Sequence, residues 1–187
     1  MKLNKSVILS LVVLVIISAV YRIVPNRPLG FAPQLAIALF SGALFQNNKK
    51  WAFAMPLFSM LLSDGLYELL YMNGLSSIKG FYRGQWQNYL LIIATACFGF
   101  AVKMNKISSI VLGGFFASTA YFIVSNFLVW ISGGGYHRPI TIDGFIQCYV
   151  DALPFYTGSL LGTAFFAALL FGGMFIIEKS QVQNRIA

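Results

Sequence analysis

The sequence predicts an all-α integral membrane protein, a single domain built as a bundle of six transmembrane helices. Three observations carry this. Of 187 residues, 58% are hydrophobic and only 10% are charged, whereas a soluble domain carries about 25% charged residues, so the chain cannot coat a water-facing surface. Apolar runs broken by polar or Gly/Pro clusters fall at about 6–24, 32–46, 51–72, 87–102, 108–131 and 154–177. A hydrocarbon core about 30 Å thick needs about 20 apolar residues per helix, so the length allows roughly five to seven spans and no separate catalytic or nucleotide-binding domain.

The first run follows Lys2 and Lys5, a pattern shared with secretory signal peptides. The segment Ser18-Ala19-Val20-Tyr21-Arg22 offers no convincing small-x-small cleavage site, so a retained helix is expected. The second and fourth runs reach only about 22 Å at 1.5 Å per residue and need local thinning or flanking aromatic and glycine residues to cross. Pro33 and Pro154 sit near the starts of the second and sixth runs, where a missing N–H costs nothing. Pro56 lies about one turn into the third and is expected to kink it. Gly158 and Gly162 form a G-x-x-x-G, and Gly114, Ser118 and Ser125 share a strip of the fifth helix. Small residues so spaced serve internal helix packing or, alternatively, a groove for a partner.

Orientation follows from the basic residues. With the N-terminus inside, Lys2, Lys5, Lys49, Lys50, Lys103, Lys106, Lys179 and Arg185 are cytoplasmic, against Arg22, Arg27, Lys79, Arg83 and Arg138 outside. The positive-inside rule therefore predicts a multi-pass protein of the cytoplasmic (inner) membrane with both termini cytoplasmic. The formal net charge of +8 is thereby explained by topology, and with no basic run longer than Lys49-Lys50 no nucleic acid partner is expected. The inside loops, 47–50 and 103–106, are short. The outside loops, 25–31, 73–86 and 132–153, are longer and rich in Gly, Pro and aromatics, the kind of segment in which binding residues concentrate.

Polar residues inside a bilayer are costly, so their depth is informative. Entering from the cytoplasm at Trp51, the third helix carries Asp64 about 20 Å along and Glu68 about 25 Å along, on one face with Met60 and Tyr71. Gln34, then Gln87 and Asn88, then Ser125 and Asn126, then Asp151, Tyr156 and Thr157 reach the same outer level from four other helices. Such a layer is expected of a vestibule open to the outside and closed by apolar packing below. The alternative is ordinary interfacial polarity, since every helix end becomes polar. Candidate ligand-binding residues are Gln34, Asp64, Glu68, Tyr71, Trp86, Asn126, Trp130, Tyr136, His137 and Asp151. Asp64 must face protein or water. Its expected partners are Arg22, Arg27 or Arg83, or else it is held neutral by a raised pKa. Gly133, Gly134 and Gly135 give the last outside loop the freedom of a mobile lid or of a merely flexible turn.

No catalytic constellation is present. His137 is the single histidine, no serine lies in a Gly-x-Ser-x-Gly elbow, and the triple glycine lacks the Lys-Ser or Lys-Thr of a phosphate loop. Cys97 and Cys148 form no Cys-x-x-Cys pair, and His137, Asp143, Cys148 and Asp151 match no known metal cage. No enzyme activity, metal or cofactor is expected.

Further residues carry a resemblance. Ser41-Gly42-Ala43, the basic turn Lys49-Lys50, Ala52-Phe53 and Asp64, then Ser125-Asn126 to Trp130, Ser132-Gly133-Gly134, Tyr136 and Tyr149 to Pro154-Phe155, resemble an uncharacterised family of bacterial six-span membrane proteins. More distantly, the pattern is similar to the substrate-binding (S) components of energy-coupling factor transporters, especially the solitary type that takes up vitamin B12. That resemblance implies an S-component-like bundle and a vitamin-sized ligand bound from outside under the first, third and fifth loops. It also implies a transmembrane coupling subunit with ATPases as partner. Two departures stand out: residues 73–86 contain no cysteine to ligate cobalt, which argues against cobalamin, and the Ala-x-x-x-Ala of the first helix is matched only by Ser6 and Ser10. The expected function is thus a membrane transport protein that binds a small organic ligand, the lipid bilayer aside its main partner. The alternative is a non-transporting structural or assembly subunit.

Overall fold

The computed structural model describes the backbone of residues 5–186 and the side chains of residues 12–177 and 179. Ser6, Ser10, Lys2, Lys5 and Arg185, which entered the docking and orientation readings, lie outside the described side chains. The helices are α1 (Lys5–Tyr21), α2 (Gln34–Leu44), α3 (Lys49–Met72), α4 (Gln85–Gly99), α5 (Ile107–Ile131) and α6 (Ile142–Ile186), with no strand among the described residues. The expected all-helical class holds. Of the six expected spans, three are helices long and apolar enough to cross a membrane among the described residues: α3, α5 and the Ile142–Ile177 stretch of α6.

The reason is visible in α2. Its 11 residues are buried from Gln34 to Ala43, and it packs against all the other helices. A helix surrounded by protein need not match the thickness of a bilayer. The apolar exterior is carried by the helices around it, where Phe58, Leu61, Val111, Phe116, Leu161 and Phe165 of the long helices, Ile17 of α1 and Leu90 of α4 are exposed. An apolar surface of this kind fits lipid rather than water.

Close approach around α2 depends on glycine. A Cβ on Gly42 would stand 2.0 Å from the Ala96 carbonyl oxygen of α4, and one on Gly99 2.3 Å from the Leu39 carbonyl oxygen of α2. The predicted G-x-x-x-G packs inside the chain: Gly158 lies against the Leu29 carbonyl and Gly162 against Ala32, so α6 clamps the segment between α1 and α2. Phe40, Phe171, Leu170 and Met174 fill the core below, with the Phe40 and Phe171 rings edge to face at 5.1 Å.

Two prolines lie inside helices, Pro56 about where the sequence placed it and Pro154 not. Pro56 stays within a continuous α3. Its missing N–H deprives the Ala52 carbonyl of its helical donor, and the Ser41 hydroxyl of α2 donates to that carbonyl at 2.8 Å instead. Pro154 lies inside α6 rather than at its start. Thr141 starts the helix, its hydroxyl accepting the Gly144 N–H at 3.1 Å, with Asp143 in the first turn favouring the positive end of the helix dipole. Residues 142–153, read from sequence as loop, therefore form the first turns of α6 and run along the end of α5, where Tyr149 Oη donates to the Ile123 carbonyl at 2.7 Å.

The loops segregate. Gln46 Nε2 donates to the Val102 carbonyl at 2.9 Å, joining the two short connections at one end. The connections 22–33, 73–84 and 132–141 lie at the other, the long-loop end.

Ser41→Ala should destabilise the protein by about 1–3 kcal/mol and so lower its melting midpoint, the cost of a buried carbonyl left without a donor. Gly42→Ala should cost a similar amount by forcing α2 from α4. Gly65→Ala, where an added Cβ meets nothing within 4 Å, should be neutral or stabilising by up to about 1 kcal/mol. Circular dichroism melts of the purified variants check all three.

Candidate functional site

At the long-loop end the Asp64 carboxylate gathers three parts of the chain. It is 1% exposed on α3, and a buried carboxylate is tolerated only when paired and hydrogen-bonded. Arg22, just past α1, forms an ion pair with Oδ1 and also donates to Ser63 Oγ at 2.9 Å. Gln85 Nε2 and Tyr89 Oη, one turn apart on α4, donate to Oδ2 at 2.6 and 2.5 Å. Tyr67 Oη donates to the Arg22 carbonyl at 2.6 Å, and the guanidinium carbon stands 5.7 Å from the Tyr67 ring centroid. Of the three arginines expected as partners, Arg22 is the one that reaches Asp64.

Glu68, one turn along α3, ties down the loop that follows. Its Oε2 accepts the Gly80 and Phe81 N–H groups at 3.0 and 3.2 Å, while Gln85 Nε2 also donates to the Gly80 carbonyl at 2.9 Å. Gly80 is buried against α3, where a Cβ would meet the Asp64 carbonyl oxygen at 2.0 Å. Only a glycine lets the loop lie so close.

The wall built this way borders a cavity of about 860 Å³. The α1–α2 connection contributes Arg22 to Gly30, the α3–α4 loop contributes Leu75 to Ile78, and Gln34, Met60, Tyr67, Asn88, Tyr121 and Ser159 come from α2 to α6. At depth, Leu35, Met60 and Ile92 line it and pack with Ala38 and Ala96 into an apolar cluster. Gln34 is 6% exposed, and its amide nitrogen has no hydrogen-bond partner. Buried polar groups are nearly always satisfied by the protein or by water, so one left open beside a cavity is free to bond a water or another molecule there.

The candidate residues fall into separate groups. Gln34 lines the cavity, whereas Asp64 and Glu68 stand behind its wall, both Asp64 oxygens and Glu68 Oε2 taken by the protein. Tyr71 is exposed with the Lys79 ammonium 5.6 Å from its ring, and Trp86 is exposed on α4 without reaching the cavity. Asn126, Tyr136 and Asp151 line a second, smaller cavity of about 360 Å³ between α5 and α6. Trp130 Nε1 donates to the Pro139 carbonyl at 3.0 Å and its ring packs on Phe145, holding the 132–141 loop to α6. His137 is exposed, at φ +53°, with Nδ1 2.5 Å from the Gly133 carbonyl oxygen. Arg138 holds Asp151 through two bonds of 2.7 and 3.0 Å, and this hydrogen-bonded carboxylate raises the guanidinium above its ordinary pKa. The loop read as a lid borders only the smaller cavity.

Sequence reading missed Gln85, Tyr89 and Tyr121 as members of the site, and named Arg27, which lines the cavity, only as a partner for Asp64. Gln85 and Tyr89 share a face at spacing four, but that register becomes legible only once α4 is seen to start at Gln85, after Gly84 at φ +86°. Tyr121 Oη donates to Asn88 Oδ1 at 2.6 Å, a pairing of α5 with α4 that no local pattern announces. Among the described residues no group of His, Cys, Asp and Glu is placed to hold a metal ion.

Residues 2–185 match a family of unknown function (DUF6580), and the chain belongs to that family. No curated protein and no solved structure matches it.

Asp64→Ala should destabilise the protein by about 3–5 kcal/mol, because it strands the Arg22 charge. Replacing both by apolar residues, Arg22→Met with Asp64→Leu, should recover part of the loss. Chemical-denaturation midpoints of the single and double variants test this, and a double variant no better than the single one refutes it.

Proposed function

We propose that this member of the family is a membrane transport protein that binds a small organic ligand in the 860 Å³ cavity. The observation that carries this reading is the buried, unpartnered amide nitrogen of Gln34 at the wall of a cavity closed at depth by Leu35, Met60 and Ile92. Ligand pockets span about 300–1,000 Å³ and combine apolar walls with a few convergent polar groups, as this one does. The proposed role is non-enzymatic. The chain's likeness to S components of energy-coupling factor transporters rests on the sequence pattern, and with it the proposed coupling subunit with ATPases.

In the proposed topology all six helices cross the cytoplasmic membrane, with α2 shielded by its neighbours and both termini cytoplasmic. The cavity then opens outward. A second reading, a structural or assembly subunit, is favoured by the Asp64 network, which is complete within the chain.

A ligand that binds only the folded protein raises its stability, by about 2.7 kcal/mol at a hundredfold excess over Kd. Small molecules that co-purify in detergent, identified by mass spectrometry and added back, should therefore raise the melting temperature. Gln34→Leu should keep the fold, since its amide nitrogen binds nothing in the protein, yet weaken that ligand by about 1–3 kcal/mol. No add-back effect on the wild type would favour the structural reading.

Orientation has its own test. Single cysteines in a cysteine-free background should be labelled only from the cytoplasm at Asn48 and Asn105, and only from outside at Ile78 and Tyr136. The reverse pattern would turn the cavity toward the cytoplasm.

A further inference from the structure

The groups lining the cavity differ in what they have left to offer a ligand. Two side-chain acceptors are occupied within the protein. Asn88 Oδ1 takes the Tyr121 hydroxyl at 2.6 Å, and Ser76 Oγ takes the Ile78 N–H at 3.0 Å. Two hydroxyl protons are spent as well, Tyr67 donating to the Arg22 carbonyl and Ser159 to the Gly30 carbonyl at 3.4 Å. Donors remain. The Gln34 amide nitrogen has no partner, and its terminal amide torsion is broad enough to swing toward a ligand at little cost. Arg22 and Arg27 each use a single nitrogen, Nη1, in side-chain bonds among the described residues.

The charges point the same way. Arg22 and Arg27 line the cavity, and neither Asp nor Glu does. Arg22 is neutralised by Asp64. Arg27 donates to the Phe31 carbonyl at 3.1 Å and makes no ion pair among the described residues. A guanidinium in a half-enclosed, partly apolar space gains most from an oxyanion, which it meets through charge-assisted bonds about twice as strong as neutral ones.

We propose that the cavity takes an organic anion, its carboxylate or phosphate oxygens on Arg27 and the Gln34 amide and its apolar body against Leu35, Met60 and Ile92. The proposal rests on the small-ligand reading and names the chemistry of that ligand. The anion comes either from a free organic acid or from the phosphate of an anionic lipid, and these sources are separable.

The protein in phosphatidylcholine nanodiscs is titrated with 2-naphthoate, cinnamate and indole-3-acetate, each against its primary amide, with binding read by calorimetry and melting temperature. At least one acid should bind about tenfold or more tightly than its amide, as expected of a hydrogen bond to a charged group. Arg27→Gln should erase that preference while changing amide affinity by no more than about twofold, and Arg27→Lys should keep most of it. If the source is lipid, phosphatidylglycerol in the nanodisc raises the melting temperature of the wild type, the acids compete with it, and Arg27→Gln loses the effect. Amides binding as tightly as acids would overturn the anion and leave the small-ligand reading standing. Silence from every acid, every amide and phosphatidylglycerol would overturn both.

Discussion

The Asp64 carboxylate, 1% exposed, must find all its partners inside the chain, and the long-loop end is arranged to supply them. Arg22 arrives from the end of α1 and Gln85 and Tyr89 from the start of α4, so one side chain of α3 fixes the relative positions of three elements. Gln85 carries the constraint onward to Gly80, which Glu68 holds from the other side. The cavity wall is therefore held in place by the bonds that satisfy a buried charge. Removing one partner of such a pair is far more costly than the pair's net contribution to stability.

The same requirement operates deeper in the bundle, with neutral groups. Pro56 frees a carbonyl in α3, and Ser41 of α2 supplies the missing proton. Ser118 and Thr163 bond to each other at 3.0 Å between α5 and α6. In apolar surroundings these bonds have no competing water, so a single hydroxyl specifies which helix faces which and at what register. Gly42 and Gly99 then set how closely α2 and α4 approach. A helix as short as α2 is viable because its neighbours, rather than its own length, separate it from the exterior.

Against this near-complete satisfaction the exceptions stand out. Among the described residues the Gln34 amide nitrogen and the Ser59 hydroxyl have no partner and Arg27 makes no ion pair; Ser59 lies away from the larger cavity, whereas Gln34 and Arg27 line it. A network that closes on itself, as around Asp64, stabilises the fold. Polar groups left open at a cavity are what recognition needs. The two arrangements share Arg22, whose guanidinium belongs to the network and to the cavity at once, so the ligand reading and the structural reading meet at that residue.

Composition and apolar run length by themselves determined the all-helical class and the six helices, because burying backbone polar groups in apolar surroundings leaves few alternatives to a helix. Helix spacing also placed Asp64 and Glu68 on one face of α3. The start of α6 was legible in principle, through Thr141 and Asp143, but the weaker cap signal was overridden by Pro154, which is read as a helix start and is tolerated here inside one. Tertiary structure alone decided that α2 is the shielded centre, that Gly158 and Gly162 clamp the segment before α2, and that the candidate residues divide between two cavities and a loop anchor. Periodicity reports which face of a helix is polar. It carries no information on which neighbour that face meets, and the partners of Asp64, Asn88 and Ala52 come from elements 11 to 42 residues away in the chain.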